Sequence, residues 1–433
     1  MSIDPRDLGP EAREALTERE LETADDESRH LAAPEPAAVA AVAAAIRGRR
    51  QQSLPRLADP NAPLLDVTEL KAHFKLDRGW LRAVDGVSFR LENGEALGLA
   101  GESGCGKTTT ALSLVGLLPA NGRIRGGSVK LFGIDLVPKS ERALRRYRWR
   151  EISIVFQGAM NALNPVRRVR DQIAEPIEIR LGQSQSVARA RAGELLELVG
   201  IPKRRGLAYP HEFSGGMRQR AMIAMALACD PAIVIGDEPT TALDVMVQAQ
   251  ILQLLEQLRH DLGLSLILIT HDLSVIAETC DKVLVMYAGR VAEEGPVSRV
   301  FTSPRHPYTQ KLLSSFPNIR ADRRTLDVIP GQPPDLRDPP PGCRFAPRCP
   351  FVMDVCREVV PPEIRFADGV RVACHLYPNA DAPMAGQLVP AAVVGVGAPV
   401  AASAVSAPNS VASVPSSVVS APDSVVPAPG GPP

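Results

Sequence analysis

The pattern of apolar and polar positions separates a central part of the chain, residues 62–317, from two ends of different texture. In the central part, short apolar runs of strand length alternate with segments of helical period, which predicts an α/β fold with a mainly parallel sheet covered on both faces. Strands are predicted at Leu64–Phe74, Val84–Leu91, Ala96–Ala100, Ser128–Phe132, Glu151–Phe156, Ala232–Gly236, Ser265–Thr270 and Val283–Tyr287, and the clearest helices at Thr109–Leu118, Ala188–Val199 and Val247–Leu262.

The two ends and the region after the central part have their own composition. Residues 1–61 begin charged and become rich in Ala and Pro, which predicts a mobile extension with at most one transient helix. After residue 317 a Pro-rich linker opens a cysteine-bearing region at 318–378. The tail 379–433 consists mostly of Ala, Val, Pro and Ser, so we expect it to be disordered.

The overall composition narrows the class of protein. Of the 433 residues, 45% are hydrophobic, enough for a buried core. Lys+Arg and Asp+Glu both number 49 and aromatic residues are 4%, so neither net charge nor base stacking favours a nucleic-acid partner. No apolar run reaches the roughly 18 residues that span a bilayer, and the acidic start is unlike a secretory signal. We therefore expect a chain that stays in the cytoplasm and binds no nucleic acid.

The segment Gly101–Thr108 carries the most specific motif. It reads Gly-x4-Gly-Lys-Thr and lies between the apolar run Ala96–Ala100 and a predicted helix. A buried strand, a glycine-rich turn and a helix N-terminus together aim backbone N–H groups at an anion. The motif predicts a phosphate-binding loop, with Lys107 at the β- and γ-phosphates and the Thr108 hydroxyl as a ligand of Mg²⁺.

An acidic pair, Asp237 and Glu238, follows another apolar run, Ile233–Gly236. In phosphate-loop enzymes the first acid of such a pair holds Mg²⁺, and the second is placed to polarise the attacking water. The pair by itself is a weak signal, because strands often end in acidic residues.

Four further segments join these two sites in one ordered pattern: Gln157, Phe213–Arg220, Thr240–Asp244 and Ile269–Asp272. In content, order and spacing the whole set resembles the ATP-binding cassette (ABC) family, over about residues 64–316. The resemblance implies an ABC-type P-loop ATPase core with a mixed, mainly parallel sheet, an antiparallel β subdomain, and a helical subdomain at about 158–210.

The resemblance also implies a role for each matching residue. Glu238 is the implied general base, His271 the sensor of the γ-phosphate, and Gln157 the residue that feels both Mg²⁺ and the membrane subunit. Mg²⁺ is implied at Thr108, Gln157 and Asp237. The implied ATP-binding residues are Phe74, Gly101, Ser103, Gly104, Cys105, Gly106, Lys107, Thr108, Thr109, Gln157, Ser214, Gly215, Gly216, Asp237 and Asp244.

Some of these positions carry alternatives. Phe74 stands where the family stacks an aromatic ring on adenine, but Trp80 is a rival, and either ring could serve packing alone. Ser214–Gly216 match the signature that contacts an ATP held on the opposite subunit, whereas Phe213 and Met217 depart from the commonest signature at peripheral positions.

The same resemblance implies partners. The phosphate loop and the signature serve different ATP molecules, so a second, related ATPase subunit is needed. Ser303–Thr309 and Phe156–Pro165 look like segments of the oligopeptide/dipeptide importer ATPases. That subfamily implies peptide uptake, two transmembrane permease subunits, an extracytoplasmic peptide-binding protein and a peripheral place on the cytoplasmic face of the membrane. A nickel or other small-solute importer, or a soluble ABC ATPase acting on DNA or ribosomes, are the alternatives.

Four of the seven cysteines, Cys343, Cys349, Cys356 and Cys374, cluster near the end of the chain and are separated by 5, 6 and 17 residues. A structural zinc site usually contains a Cys-x2–4-Cys pair, so the wider spacing favours a [4Fe–4S] cluster held by four thiolates. Similar cysteines recur in some peptide-importer ATPases. A zinc site that includes His375 is the alternative, and buried free thiols come third. Cys105, Cys229 and Cys280 are interpreted as packing residues.

Overall fold

The computed structural model describes residues 42, 44–49, 62–156, 158, 162–241, 243–315 and 329–379. Most of the predicted N-terminal extension, the segment 316–328 and the predicted disordered tail from residue 380 onward lie outside these residues. The predictions about those segments stay predictions, and so do the domain boundaries.

Strands among the described residues form two sheets. In chain order they are β1 (Leu65–Lys75), β2 (Trp80–Leu91), β3 (Ala96–Ala100), β4 (Gly122–Leu131), β5 (Ile134–Asp135), β6 (Ile152–Val155), β7 (Ile233–Asp237), β8 (Ser265–Ile269), β9 (Lys282–Tyr287), β10 (Arg290–Pro296), β11 (Glu363–Arg365) and β12 (Arg371–Ala373). The smaller sheet has the order β2-β1-β4-β5 and is antiparallel throughout. The larger has the order β11-β12-β10-β9-β3-β8-β7-β6.

The larger sheet is mixed and mainly parallel. Neighbours from β6 through β7, β8 and β3 to β9 all pair in parallel, whereas β10, β12 and β11 add antiparallel pairs at one edge. The predicted mixed, mainly parallel sheet is confirmed, and β9 and β10 form an antiparallel hairpin. The cysteine-bearing region continues this sheet, because its strand β12 pairs with β10 at Val372 opposite Glu293.

Helices cover the larger sheet and form the predicted helical part. They are α1 (44–49), α2 (Lys107–Leu114), α3 (Glu141–Leu144), α4 (Val169–Leu181), α5 (Gln185–Leu198), α6 (Gly215–Ala226), α7 (Val245–Leu262), α8 (Leu273–Thr279), α9 (Val297–Thr302), α10 (Pro307–Ser314) and α11 (Asp354–Glu358). Helices α4 and α5 pack on each other and on α6. Within the described residues, no helix combines the length and the apolar composition that crossing a bilayer requires.

The alternation of side chains along the central strands explains why both faces of the sheet are covered. In β3, Ala96 and Ala100 belong to the hydrophobic cluster that includes the helices α4 to α7, while Leu97 and Leu99 belong to the cluster shared with the antiparallel sheet. Every residue of β3 is buried. Successive side chains of a strand point to opposite faces, so an entirely apolar strand needs cover on both sides.

The three clearest predicted helices all begin earlier than predicted, by two or three residues, and α2 also ends much earlier. The predicted helix Thr109–Leu118 is observed as α2, Lys107–Leu114, which begins two residues earlier and ends four residues earlier. Gly116 adopts a φ of 65°, and the N–H of Leu117 donates to the carbonyl of Leu112 at 2.8 Å. A glycine in the left-handed conformation closes a helix in this way, so Gly116 is the stop signal that the apolar periodicity concealed.

Candidate active site

The phosphate-binding loop lies between the end of β3 and the start of α2. Gly101 and Gly106 have φ angles of 144° and 107°. A Cβ atom at Gly101 would lie 2.2 Å from the carbonyl oxygen of Met286, and one at Gly106 would lie 2.4 Å from that of Ala83. Only glycine fits at either position, because any side chain would collide with the backbone of β9 or β2.

The loop holds its lysine in place. Lys107 is 7% exposed, and its Nζ atom donates to the carbonyl oxygens of Gly101 at 2.6 Å and Glu102 at 3.1 Å. Ser103 and Gly104 form the exposed rim of the loop. The ammonium group and the N-terminus of α2 therefore meet at a concave backbone surface that suits a phosphate anion.

Cys105 and Thr109 are the other two predicted binding residues at the loop. Cys105 is 4% exposed and belongs to the hydrophobic cluster beneath the antiparallel sheet, and burial raises the pKa of its thiol. Its side chain therefore packs, as interpreted from the sequence. The carbonyl of Thr109 accepts a hydrogen bond from the Ser113 hydroxyl at 2.7 Å inside α2.

The hydroxyl of Thr108 and the carboxylate of Asp237 meet at the mouth of this loop. Thr108 Oγ1 donates to Asp237 Oδ1 at 3.2 Å. Asp237 ends β7 and is 1% exposed; burial raises the pKa of its carboxyl, and the hydrogen bond from Thr108 opposes that shift. Oxygen donors of this kind are the ligands that Mg²⁺ prefers, so this pair fits the ion that the motifs imply.

Glu238 and His271 lie beside that pair. Glu238 Oε1 is 3.8 Å from Nδ1 of His271, and Glu238 Oε2 accepts a hydrogen bond from the Thr241 hydroxyl at 2.9 Å. The side chain of His271 is 71% exposed. The two residues meet because β7 and β8 are adjacent parallel strands whose carboxyl ends share one edge of the sheet.

The backbone of Glu238 is in an unusual conformation. Its φ is 48°, in the left-handed region that non-glycine residues rarely adopt, and its N–H donates to the carbonyl of Ile269 at 2.9 Å. Such residues cost on the order of 1–3 kcal/mol and concentrate at functional sites. Here the conformation turns the chain away from β7 directly after Asp237.

The signature residues and Asp244 begin two neighbouring helices. The Ser214 hydroxyl caps α6 by accepting from the N–H of Met217 at 3.3 Å, and Asp244 caps α7 by accepting from the N–H of Val247 at 2.9 Å. Both cap residues are exposed. A Cβ atom at Gly216 would lie 2.7 Å from Cγ1 of Val247, so the two helix starts pack closely at this glycine.

The departures from the commonest signature face inward. Phe213 and Met217 are 2% and 3% exposed and belong to the core, whereas Ser214 is exposed and Gly215 is half-buried. The two substituted positions therefore serve packing rather than the exposed surface at the start of α6.

The predictions for Gln157 and for the base-stacking ring stay predictions. Gln157 lies outside the described residues. Phe74 packs against Gly122, where a Cβ atom would lie 3.0 Å from the phenyl ring, and Trp80 carries the guanidinium of Arg125 4.9 Å from its ring centroid. Both aromatic residues lie where β1 meets β2, so Phe74 and Trp80 remain rival predictions for a base-stacking ring.

Sequence reasoning missed two contacts of this site. The hydroxyl of Thr241 donates to the carboxylate of Glu238. This contact could have been predicted, because Thr241 is only three residues after Glu238 in the sequence. Arg348 forms two hydrogen bonds to the carboxylate of Glu102, at 2.7 and 3.0 Å. No local pattern could have indicated that pair, because 245 residues separate its members in the chain.

The four late cysteines are free thiols, and those of them that lie near one another raise one another's pKa. Burial, together with a smaller effect of the neighbouring Cys343, Cys349 and Cys356, raises the pKa of Cys374 to about 12. Burial likewise raises the pKa of Cys349 to about 11. The N–H of Cys343 donates to the carbonyl of Cys356 at 2.8 Å, so the chain folds these distant cysteines onto one another.

Backbone hydrogen bonds affect three of the four thiols. The N–H groups of Phe345 and Ala346 lower the pKa of Cys343, that of Phe351 lowers the pKa of Cys349, and that of Leu376 lowers the pKa of Cys374, each against the larger effect of burial. Hydrogen bonds of this kind stabilise a thiolate. Within the described residues, however, no group of three or more His, Cys, Asp and Glu side chains is arranged to hold a metal ion, so the four thiols would have to converge further to bind one.

Comparisons with known proteins show which family this chain resembles. The family model described as ABC transporter matches residues 84–241, and the model described as oligopeptide/dipeptide transporter, C-terminal region, matches residues 292–356. A dimeric ATP-binding cassette solved in a post-hydrolysis state with ADP and Pi is 27% identical, with a TM-score of 0.49, and the match covers 54% of this chain and 98% of that one.

Relatives cover most of the chain. A probable peptide ABC transporter ATP-binding protein of Sinorhizobium fredii, y4tR, is 50% identical over 315 residues, which are 72% of this chain and 94% of the relative. The oligopeptide transport ATP-binding protein OppD of Mycobacterium tuberculosis is also 50% identical, over 72% of this chain and 52% of the relative, so the chain spans about half the length of that protein. This chain therefore belongs to the ATP-binding proteins of the ABC transporter family, in the group with the oligopeptide/dipeptide transporter C-terminal region.

Proposed function

We propose that this protein is the ATP-hydrolysing subunit of an importer that energises uptake of di- or oligopeptides. The observation that carries the proposal is the meeting of Thr108, Asp237, Glu238 and His271 beside the phosphate-binding loop. The peptide substrate rests on the relatives, which are named as peptide or oligopeptide transport ATP-binding proteins.

Each residue of the site has a step that its position suits. Lys107 and the backbone N–H groups of the loop bind the phosphates of ATP. Thr108 and Asp237 would hold Mg²⁺, which neutralises charge on the phosphates when bound. Glu238 orients the attacking water and accepts its proton, and His271, within 3.8 Å of that carboxylate, senses the γ-phosphate.

We infer that the working unit contains a second cassette subunit. Ser214 is exposed and Gly215 half-buried at the start of α6, and the exposed Asp244 begins the adjoining helix. Backbone N–H groups and a hydroxyl at a helix N-terminus suit the γ-phosphate of an ATP carried by a partner. ATP then joins two subunits, and its hydrolysis separates them, which converts the chemical step into motion.

The remaining partners and the location follow from membership of the peptide-importer group. We propose that the ATPase pair binds two transmembrane permease subunits from the cytoplasmic face, and that an extracytoplasmic binding protein delivers the peptide. The partner ATPase is proposed to be a related chain rather than a second copy.

Glu238→Gln tests the hydrolytic role. We expect ATP hydrolysis to fall by about 100-fold or more, since a general base contributes on the order of 10²–10⁴-fold, while ATP binding is retained. The variant should also accumulate as an ATP-bound dimer in light scattering. Glu278→Gln removes the same charge from an exposed position on α8 and should retain full activity. Normal turnover by Glu238→Gln in the assembled transporter would exclude Glu238 as the base.

We further propose that Cys343, Cys349, Cys356 and Cys374 hold a [4Fe–4S] cluster. The hydrogen bond between the backbones of Cys343 and Cys356, and the effect of the other three cysteines on the pKa of Cys374, support it, because such clusters need four thiolates from one region of the fold. Anaerobic purification should yield a brown protein that absorbs near about 400 nm and contains about four irons per chain. Cys374→Ser should lose that absorption, whereas Cys229→Ser should retain it. One equivalent of zinc without iron would establish the zinc site instead.

A further inference from the structure

Glu102 lies in the phosphate-binding loop. Two side chains from later in the chain, Tyr308 and Arg348, hold it in place. Its backbone N–H donates to the hydroxyl of Tyr308 at 2.8 Å, and its carboxylate accepts the two hydrogen bonds from Arg348. Tyr308 belongs to α10, and Arg348 ends the short helical turn Ala346–Arg348, next to Cys349. The cysteine-bearing region at 318–378, called the C-terminal region from here on, therefore contacts the loop directly through Arg348.

Arg348 is immobilised on its other sides as well. Its side chain is 5% exposed, its Nε atom donates to the carbonyl of Pro330 at 2.8 Å, and Nη1 also reaches the hydroxyl of Tyr287 at 3.1 Å. A guanidinium fixed by several hydrogen bonds defines the position of the carboxylate it pairs with more closely than a free surface pair would.

A cluster of aromatic rings fixes the turn that carries Arg348. Phe345 is 2% exposed, and its ring centroid lies 5.2 Å from that of Tyr287 and 5.4 Å from that of Tyr308. Tyr287 ends β9, whose residue Met286 contacts the loop at Gly101. The turn, β9 and α10 are thus packed as one unit behind the phosphate-binding loop.

The pair has an electrostatic consequence for the loop. A carboxylate next to a phosphate site repels the anion unless a cation neutralises it. In addition, the carbonyl of Glu102 is one of the two oxygens that hold Lys107 Nζ, so the position of Glu102 affects the lysine that faces the phosphates.

We propose that Arg348 is a positioning residue for ATP binding, which neutralises Glu102 and fixes the phosphate-binding loop, so that the C-terminal region sets the affinity of the site. This inference rests on the proposed function, because it requires that the loop binds ATP. It assigns to the C-terminal region a direct contribution to the nucleotide site, separate from any metal that its cysteines hold.

The test measures the Kd of Mg-ATP for the full chain by titration calorimetry, with KM and kcat for hydrolysis where the assembled transporter is used. Arg348→Ala should weaken ATP binding about tenfold, within the usual range of coupling between sites, and raise KM more than it lowers kcat. Adding Glu102→Gln to Arg348→Ala should restore most of the affinity, because the unpaired carboxylate is then gone.

Arg371→Ala is the matched control. Arg371 is a buried arginine of the same region, 8% exposed, and pairs with two carboxylates, Glu294 and Glu363, at the edge strands instead of the loop. Its loss should leave the Kd for ATP within about twofold of the wild-type value, well below the coupling expected at Arg348. Equal effects of Arg348→Ala and Arg371→Ala, or no effect of Arg348→Ala, would overturn the inference.

A second variant tests the inference if Arg348→Ala does not fold. If Arg348→Ala does not fold, Arg348→Lys replaces it: lysine keeps the charge but cannot form the two-pronged pair, and a Kd raised by about threefold is expected. An unchanged Kd in Arg348→Lys together with an unchanged Kd in Glu102→Gln would then overturn the inference. Failure of the wild-type chain to bind Mg-ATP at all would instead refute the proposed function.

Discussion

Among single residues, burial decides how the ionisable groups near α10 behave. Glu293 is fully buried and accepts hydrogen bonds from the N–H groups of Arg305 at 2.8 Å and His306 at 2.9 Å. Burial raises the pKa of Glu293 to about 7, although those two N–H groups oppose the shift. Burial also lowers the pKa of His306 to about 4. Each group is therefore forced toward its neutral form, because the charged form loses its hydration.

These two shifts affect stability in opposite directions. Glu293 has a folded-state pKa above its ordinary value of 4.5, so its contribution to stability is complete below pH 4.5 and is lost as the pH rises through about 7. His306 has a folded-state pKa below 6.5, so its contribution is present above pH 6.5 and is lost as the pH falls through about 4.

Glu293→Gln should change how stability depends on pH. Relative to the wild type, the free energy of unfolding of the variant should increase between pH 4.5 and 8 by on the order of 3 kcal/mol, since one pKa unit corresponds to about 1.4 kcal/mol. Chemical denaturation of both proteins across this range measures the difference. Glu358→Gln, at an exposed glutamate of α11, controls for the lost charge. A difference that is flat with pH would show that Glu293 ionises freely in the folded protein.

Among the elements, α1 shows that contacts with the core can stabilise a helix whose sequence has no amphipathic pattern. Ile46 is 1% exposed and belongs to the core cluster that includes the helices α4 to α7. Arg49 Nε lies 2.8 Å from Oδ2 of Asp230, whose other oxygen lies 2.8 Å from Nη2 of Arg191 on α5. The Ala-rich sequence predicted at most a transient helix here, because only one large apolar residue of α1 enters the core.

Ile46→Ala tests whether α1 is part of the folded protein. Removing a buried isoleucine should lower the free energy of unfolding by about 2 kcal/mol, at the low end of the usual range because Ile46 is the one buried residue of this short helix. Arg47→Ala, at an exposed position of the same helix, should cost no more than about 0.5 kcal/mol. Equal stability of Ile46→Ala and the wild type would mean that α1 does not pack against the core in solution.

Across the whole molecule, the C-terminal region completes the larger sheet and covers charged groups. Strand β12 pairs with β10, and Arg371 pairs with the half-buried carboxylate of Glu294. Arg344 reaches back to the carboxylate of Asp85 on β2 and the carbonyl of Ala288. The region therefore ties the two sheets together through buried arginines.

Ending the chain at residue 328 should destabilise the protein. The truncation exposes the edge of β10, leaves Glu102 and Glu294 without their arginine partners and removes Arg344 from Asp85, and unpaired edges and buried charges favour aggregation and unfolding. We expect a loss of several kcal/mol in the free energy of unfolding and a poorly soluble product. Ending the chain at residue 379 removes only residues outside those described and serves as the control. A monodisperse truncated protein with unchanged melting temperature would contradict this account.

The sequence by itself determined the order of the strands and helices and most residues of the candidate site. Apolar runs placed β3, β7 and β8 to within a residue, because strands buried on both faces have to be continuously apolar. The phosphate-binding loop could also be predicted from the sequence, because Gly101 and Gly106 adopt φ angles and make close backbone contacts that only glycine allows.

Only the tertiary structure decided the contacts between distant segments. The pairing of Arg348 with Glu102, the burial of Ile46, the shifted pKa of Glu293 and the gathering of the four cysteines all depend on segments far apart in the chain. Local pattern records which face of an element is buried, but not which other element buries it. The physical reason is that burial and electrostatic pairing depend on the whole assembled core, whereas backbone conformation and apolar periodicity depend on residues that are close in the sequence.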